Sequence, residues 1–340
     1  MRVGILTSGG DCQGLNGAMY GLVKALNFNC KEKLEIYGIL EGYTGLINGD
    51  YKKMKHEEFE GILNMGGSIL GNSRQPFKRI NDADENGVTK VQSMIKNYKN
   101  MDLDCLVVLG GNGSHKTANL LSEQGLNVVT LPKTIDNDIN GTEMTFGFQS
   151  AIDIATRTLE ELHTTAKSHK RIIIDEIMGN KAGFLTLYSG IAGEADIILI
   201  PEIPYSIDKI VDFINKKLDE GRRHIIIAAA EGIISKDESK LTKKELKQKR
   251  TAENYTSAAV YLEKKLSEKI NREIRAVVPG HIQRGGNPCA YDKVLTSRLG
   301  AKGAELILNK EYGKMVAVVN NEISSVPLSV AVEKPKRVNT

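Results

Sequence analysis

The chain has 340 residues, 41% hydrophobic, 26% charged and 5% aromatic with no Trp, a globular mixture that excludes a disordered chain, a fibrous repeat and a disulfide-dense miniprotein. Forty-six basic against 42 acidic residues leave a net charge of +4, too weak a field to call for nucleic acid or an anionic membrane. Cys12, Cys30, Cys105 and Cys289 form no C-x-x-C pair, which argues against zinc; with no signal-peptide pattern after Met1 and no apolar run near the roughly 18 residues of a membrane span, the chain reads as cytoplasmic.

In chain order, short apolar and β-branched runs predict strands at Val3–Thr7, Glu35–Leu40, Cys105–Leu109, Asn127–Leu131, Arg171–Ile177, Ile197–Ile200, His224–Ala230, Ile274–Val278 and Met315–Val319. Most are apolar at successive positions, as in a parallel sheet covered on both faces. Helical spacing appears between them, most clearly in Phe148–Ala166 and more loosely in Leu15–Leu26, Ser114–Gln124, Ile207–Leu218, Tyr255–Ile270 and Tyr291–Leu308. The alternation predicts an α/β protein built from βαβ units, with ligands outside the carboxyl ends of the strands. A boundary is expected near Asn140-Gly141, which gives domains over 1–140 and 141–253, with parts of 254–310 rejoining the first and the C-terminal segment the second. Ser235–Arg250 is a Lys-rich insertion that reads as a solvated helical face.

The strand ends carry the chemistry. The first ends in Thr7-Ser8-Gly9-Gly10-Asp11 just before a helix, where glycines admit a ligand to the backbone and the helix start favours an anion; a plain tight turn fits equally. The third ends in Gly110-Gly111-Asn112-Gly113-Ser114, in which Ser114 is expected to cap the next helix and the glycines to cradle phosphate. Neither loop spells a Walker motif or G-x-G-x-x-G. Next comes Lys133-Thr134-Ile135-Asp136-Asn137-Asp138, where one carboxylate can take a proton from a hydroxyl and the other can hold hydrated magnesium; an Asx-rich turn is the structural alternative. Downstream, His281 and Arg284 in Pro279–Gly286, with Arg275 upstream, suit a phosphomonoester, and Glu231 suits a sugar hydroxyl.

With Gly71-Asn72-Ser73-Arg74, Met178-Gly179 and Gly280-His281-Ile282-Gln283-Arg284-Gly285-Gly286 added, these motifs resemble the 6-phosphofructokinases over Gly4 to about Ile307. The likeness is to the branch that mixes ATP-using and pyrophosphate-using members. It implies two Rossmann-like domains with mainly parallel sheets and the active site in the cleft between them. It further implies phosphoryl transfer from ATP to the 1-hydroxyl of fructose 6-phosphate, with Mg2+. The donor domain would be the first and the fructose 6-phosphate domain the second. By this resemblance Asp136 is the general base, assisted by Thr134 and Lys133. Gly10, Arg74, Gln75, Gly111, Asn112, Gly113 and Ser114 hold the donor, and Asp138 and Asn112 lie near the metal. Thr134, Ile135, Asp136, Met178, Gly179, Asn180, Glu231, His281 and Arg284 meet the sugar phosphate. Arg171 and Arg275 reach it from a neighbouring subunit, which implies a homodimer or homotetramer with shared sites.

Three positions depart from the family pattern. Asn112 replaces a metal-associated Asp, Asn180 stands where many bacterial ATP enzymes carry Arg, and Lys133 replaces their Gly. By the same resemblance, a Gly at position 113 leaves room for the α-phosphate of ATP where an Asp would exclude it and go with pyrophosphate, whereas Lys133 is the residue type of pyrophosphate users; steric exclusion being close to all-or-none, Gly113 weighs more. A pyrophosphate-dependent phosphotransferase and a catalytically inactive sugar-phosphate or nucleotide sensor stay open. NAD and lipid kinases share a glycine loop but do not account for His281–Gly286.

Overall fold

Strands apolar at every position need cover on two faces, and helices placed between strands supply it. The computed structural model describes residues 1–340, and the chain forms two units, Met1–Ser150 with Arg284–Lys336 and Ala151–Gln283 with Arg337–Thr340.

The first unit opens with β1 (Arg2–Thr7), α1 (Leu15–Asn29), β2 (Glu35–Ile39), α2 (Tyr43–Asn48) and β3 (Tyr51–Met54). It continues through α3 (Lys90–Asn100), β4 (Cys105–Gly110), α4 (Asn112–Glu123), β5 (Val128–Thr134) and the short β6 (Phe146–Gly147) to the start of α5 (Phe148–His169). The second unit holds the rest of α5, then β7 (Ile172–Ile177), α6 (Phe184–Ala192), β8 (Ile197–Leu199), α7 (Ile207–Asp219), β9 (Ile225–Ala230), α8 (Lys243–Ala252), α9 (Ala258–Ser267) and β10 (Ile274–Val277). The chain then returns to the first unit with α10 (Ala290–Leu308), β11 (Lys314–Val319), β12 (Glu322–Pro327) and α11 (Leu328–Ala331).

The first unit's sheet runs β12-β11-β5-β4-β1-β2-β3, with β6 beside β5. Its centre is parallel, Gly4 pairing with Tyr37 on one side and Leu106 on the other, while β3 and β12 close the edges antiparallel. Leu6, Leu106 and Val108 are fully buried among Met94, Leu121 and Met315. Helices α1 and α10 touch backbone to backbone: a Cβ on Gly21 would lie 2.6 Å from the Ser297 carbonyl, and one on Gly300 would lie 2.5 Å from that of Ala18. The second unit's sheet, β10-β7-β9-β8, is entirely parallel. Ile174, Ile227, Ile214 and Leu262 fill the core on one of its faces.

The α/β architecture with mainly parallel sheets is the one the alternation predicts. The division of the chain differs. The first unit extends to Ser150 because buried Asp292, near the start of α10, accepts from the N–H groups of Gly147 and Ser150 and from the Ser150 hydroxyl. The segment that rejoins it begins at Arg284, so α9 and β10 stay in the second unit, and of the C-terminal segment only 337–340 joins the second. The edge strands β3 and β12 were not expected, since Tyr51, Lys52 and Lys53 are exposed and polar edges carry no apolar run. Tyr255–Ile270 yields a shorter helix, started by Ser257, whose hydroxyl accepts from the Val260 N–H. No helix is long and apolar enough to cross a membrane.

Candidate active site

Three parallel strands of the first unit, β1, β4 and β5, end side by side. The turn after β1 is held by the Ser8 N–H on the Leu109 carbonyl and the Gly9 N–H on the Ser73 carbonyl, both at 3.0 Å. Gly9 sits at φ 91°, in the left-handed region that glycine enters without steric cost. At Gly10 the space for a side chain is taken: a Cβ would lie 2.6 Å from Arg284 Nη1 and 3.3 Å from Arg74 Nη2. Lys133 Nζ donates to the Gly10 carbonyl, and Arg284 Nη1 donates to that of Asp11 at 3.0 Å. Three cationic side chains therefore gather around one glycine. Lys133 is 3% exposed, and burial lowers its ammonium pKa below the ordinary lysine value.

The second glycine loop starts its helix earlier than expected. Gly111 is the N-cap residue and α4 begins at Asn112, so Ser114 lies inside the first turn and does not cap it. The reason is local: the first intrahelical bond runs from the His115 N–H to the Gly111 carbonyl. The N–H groups of Asn112, Gly113 and Ser114 precede that bond and sit at the positive end of the helix dipole. A Cβ at Gly113 would meet nothing within 4 Å, so the space beside it is open. Gln75 Nε2 donates to Thr44 Oγ1 at 3.1 Å, which fixes the segment that carries exposed Arg74.

After β5 the chain turns tightly. The Asp136 N–H donates to Thr134 Oγ1 at 3.1 Å, and Asn137 takes a left-handed φ of 51°. Its side chain spans the loop, accepting from the Thr145 N–H and donating to the Glu143 carbonyl. Asp136 is half-buried, whereas the Ile135 side chain is fully buried and leaves only its backbone for a ligand. Asn112 Nδ2 donates to Asp138 Oδ2 at 2.8 Å. Burial first, and then the charge of Asp136, push the Asp138 carboxyl up to about 7. No cluster of three or more His, Cys, Asp or Glu forms a protein-only metal cage. The hard oxygens of Asp138 and Asn112 instead suit Mg2+, which uses one or two protein ligands plus phosphate.

The second unit holds the other predicted residues. Glu231 follows β9, and its Oε1 accepts from the N–H groups of Gly179 at 3.2 Å and Asn180 at 2.7 Å. Met178–Asn180 is thereby bent with Gly179 at φ 136° and Asn180 at φ 54°. Gln283, 1% exposed, accepts from the Met178 N–H and donates to the Glu176 carbonyl. His281 is exposed on the 3-10 turn Gly280–Arg284. Arg171 and Arg275 share Glu273, at 2.7 and 2.6 Å. They belong to the amino-terminal part of the β7–β10 pair, where Arg171 precedes β7 and Arg275 pairs with Ile173; Met178 follows the carboxyl end of β7. Six strand residues separate those ends, about 20 Å.

The structure thus gathers Gly10, Arg74, Lys133 and Arg284 in the first unit, and Met178, Gly179, Asn180 and Glu231 in the second. Arg284, expected with the sugar phosphate, lies beside the first glycine loop. Two further residues escaped sequence reasoning. One is Gln283, although it sits within a quoted motif. The other is Lys336, whose N–H donates to the Asp138 carbonyl and whose Nζ donates to the carbonyls of Thr142 and Glu143.

Comparison with known proteins gives one family. The phosphofructokinase family model matches residues 2–307. An ATP-dependent 6-phosphofructokinase of Spirochaeta thermophila is 48% identical over 98% of this chain and 92% of its own. A pyrophosphate–fructose 6-phosphate 1-phosphotransferase of Amycolatopsis methanolica is 36% identical over 99% of this chain and 95% of its own. Among solved structures, Pichia pastoris phosphofructokinase superposes with a TM-score of 0.81 at 30% identity; the match covers 97% of this chain and 35% of that longer one.

Proposed function

The chain belongs to the phosphofructokinase family, and from that premise we propose that the strand ends described above carry out phosphoryl transfer from ATP to the 1-hydroxyl of fructose 6-phosphate. The observation that carries this reading is the convergence of Arg74, Lys133 and Arg284 on Gly10, at the end of β1, which β4 alone separates from the strand that leads into Asp136. Charge spreads over the phosphoryl oxygens in such a transfer, so catalysis rests on positioning and on fixed positive groups.

Asp136 is the general base. The Gly9–Asp11 turn and the N–H groups at the start of α4 hold the donor phosphates, and the open space beside Gly113 admits the α-phosphate of ATP. Asp138 and the side-chain oxygen of Asn112 would hold Mg2+, which supplies charge neutralisation on the donor phosphates. Lys133 takes over part of the positive charge that Asn180 lacks. In the second unit Met178–Asn180, Glu231 and His281 bind fructose 6-phosphate.

Arg171 and Arg275 lie too far along β7 from Met178 to serve their own chain, so they serve a second copy. Helix α6 supports self-association: it carries no charge and leaves Tyr188 50% and Ile191 65% exposed. A helix apolar on most sides is one that another surface covers. As a glycolytic enzyme the protein acts in the cytoplasm.

Asp136→Asn tests the reading. The variant should bind fructose 6-phosphate within about threefold of wild type while kcat falls roughly a thousandfold, within the range for loss of a general base. A variant that turns over near the wild-type rate contradicts it.

A further inference from the structure

The insertion Ser235–Arg250 plays no part in that reading, yet it is firmly held. Helix α8 has no buried residue, so hydrophobic packing does not fix it. It carries its own start signal, a capping box between Thr242 and Glu245. What anchors it is Arg250. Its Nε donates to Glu238 Oε1 at 2.8 Å, and its Nη2 donates to Glu238 Oε2 at 3.2 Å and to the Ile233 carbonyl at 3.0 Å. The guanidinium also lies 4.2 Å from the Tyr255 ring centroid. Glu238 is 1% exposed, and its Oε2 accepts from the Ser235 N–H as well. An ion pair this buried costs desolvation and is weak evidence for stability alone.

Its target is informative. Ile233 lies two residues past Glu231, whose carboxylate holds the N–H groups of Gly179 and Asn180. Between them, a Cβ on Gly232 would sit 1.9 Å from the Asn180 carbonyl, so this backbone presses directly on the Met178–Asn180 turn. Arg250 grips one end of the segment Glu231–Ile233, and the turn is held at the other.

We propose that Arg250, through its paired hydrogen bonds with Glu238, is a positioning residue for the sugar-phosphate turn: by holding the Ile233 carbonyl it fixes Glu231 and Gly232 against Met178–Asn180 and so sets the affinity for fructose 6-phosphate. This rests on the assignment of that turn to fructose 6-phosphate. It also accounts for a Lys-rich helix with no buried residue, because a guanidinium must be delivered to Ile233 from outside the sheet.

Arg250→Met and the double variant Glu238→Gln/Arg250→Met test the inference, the double variant sparing the fold an unpaired buried carboxylate. Steady-state kinetics should show the KM for fructose 6-phosphate raised about tenfold in both, with kcat and the KM for ATP within about twofold of wild type. Arg250→Lys, which keeps the charge but loses the two-nitrogen pairing with both oxygens of Glu238, should fall between. Hydrogen exchange of the peptide containing Gly179 and Asn180 should quicken in the folded double variant. A double variant that melts cooperatively with wild-type KM and wild-type exchange overturns the proposal. If wild-type protein fails to use fructose 6-phosphate, the functional reading fails, and exchange alone decides the positioning role: faster exchange upholds it, unchanged exchange ends it.

Discussion

The two groups of candidate residues, one in each unit, are shaped by opposite means. In the first unit, side chains are absent: the space beside Gly10 is filled by the guanidinium ends of Arg284 and Arg74, Gly113 leaves open space, and the first-turn N–H groups of α4 have no partner within the helix. In the second unit, side chains hold the backbone: Glu231 and Gln283 reach across to fix N–H groups of Met178–Asn180. A backbone cradle is most damaged by adding atoms, and a turn held by side chains is most damaged by removing them.

Gly113→Asp puts a carboxylate into the open space and is expected to have the larger effect. Like-charge conflict costs several kcal/mol, so kcat/KM for ATP should fall about a hundredfold while binding of fructose 6-phosphate is unchanged. Unaltered ATP kinetics would mean that the space beside Gly113 does not receive the donor. Glu231→Gln keeps an acceptor for the Gly179 and Asn180 N–H groups but gives up the charge. The KM for fructose 6-phosphate should rise about tenfold with little change in that for ATP. Equal rises in both constants would erase the distinction between the two groups.

The smallest effect on activity is expected at Asp175, in the middle of β7. Neither of its oxygens has a hydrogen-bond partner. Burial first, and then Glu176, push its carboxyl up to about 8 from an unfolded value of 3.8. The folded chain therefore favours the neutral acid. The stability this lends is full below pH 3.8 and is lost as pH rises through about 8. Asp175→Asn cannot ionise, so melting temperatures should show the variant gaining on wild type from about pH 5 to about pH 8.5, with kcat unaffected. Parallel melting curves would show that Asp175 does not titrate in this range.

The same contrast governs what could be read from the sequence. The strand ends of the first unit were legible because glycines, carboxylates and lysine stand next to one another along the chain. The turn at Met178-Gly179 was legible only by resemblance, since its supports, Glu231 and Gln283, lie 52 and 105 residues away. Lys336 gave no sign of its role: it binds carbonyls nearly 200 positions back, and a carbonyl ligand leaves no mark on sequence pattern. Edge strand β3 hid behind Lys52 and Lys53, whose charges protect an edge but mask a strand. The return to the first unit at Arg284 was missed because Arg284 serves the loop at Gly10 and Asp11 through contacts that no local motif encodes.

On the proposed function, this backbone cradle accepts ATP and passes its terminal phosphoryl group to fructose 6-phosphate. The direct measurement is turnover by the purified protein with fructose 6-phosphate and magnesium, given either ATP or pyrophosphate. Fructose 1,6-bisphosphate formed with ATP is the predicted result; product formed with pyrophosphate alone, or with neither donor, would contradict it.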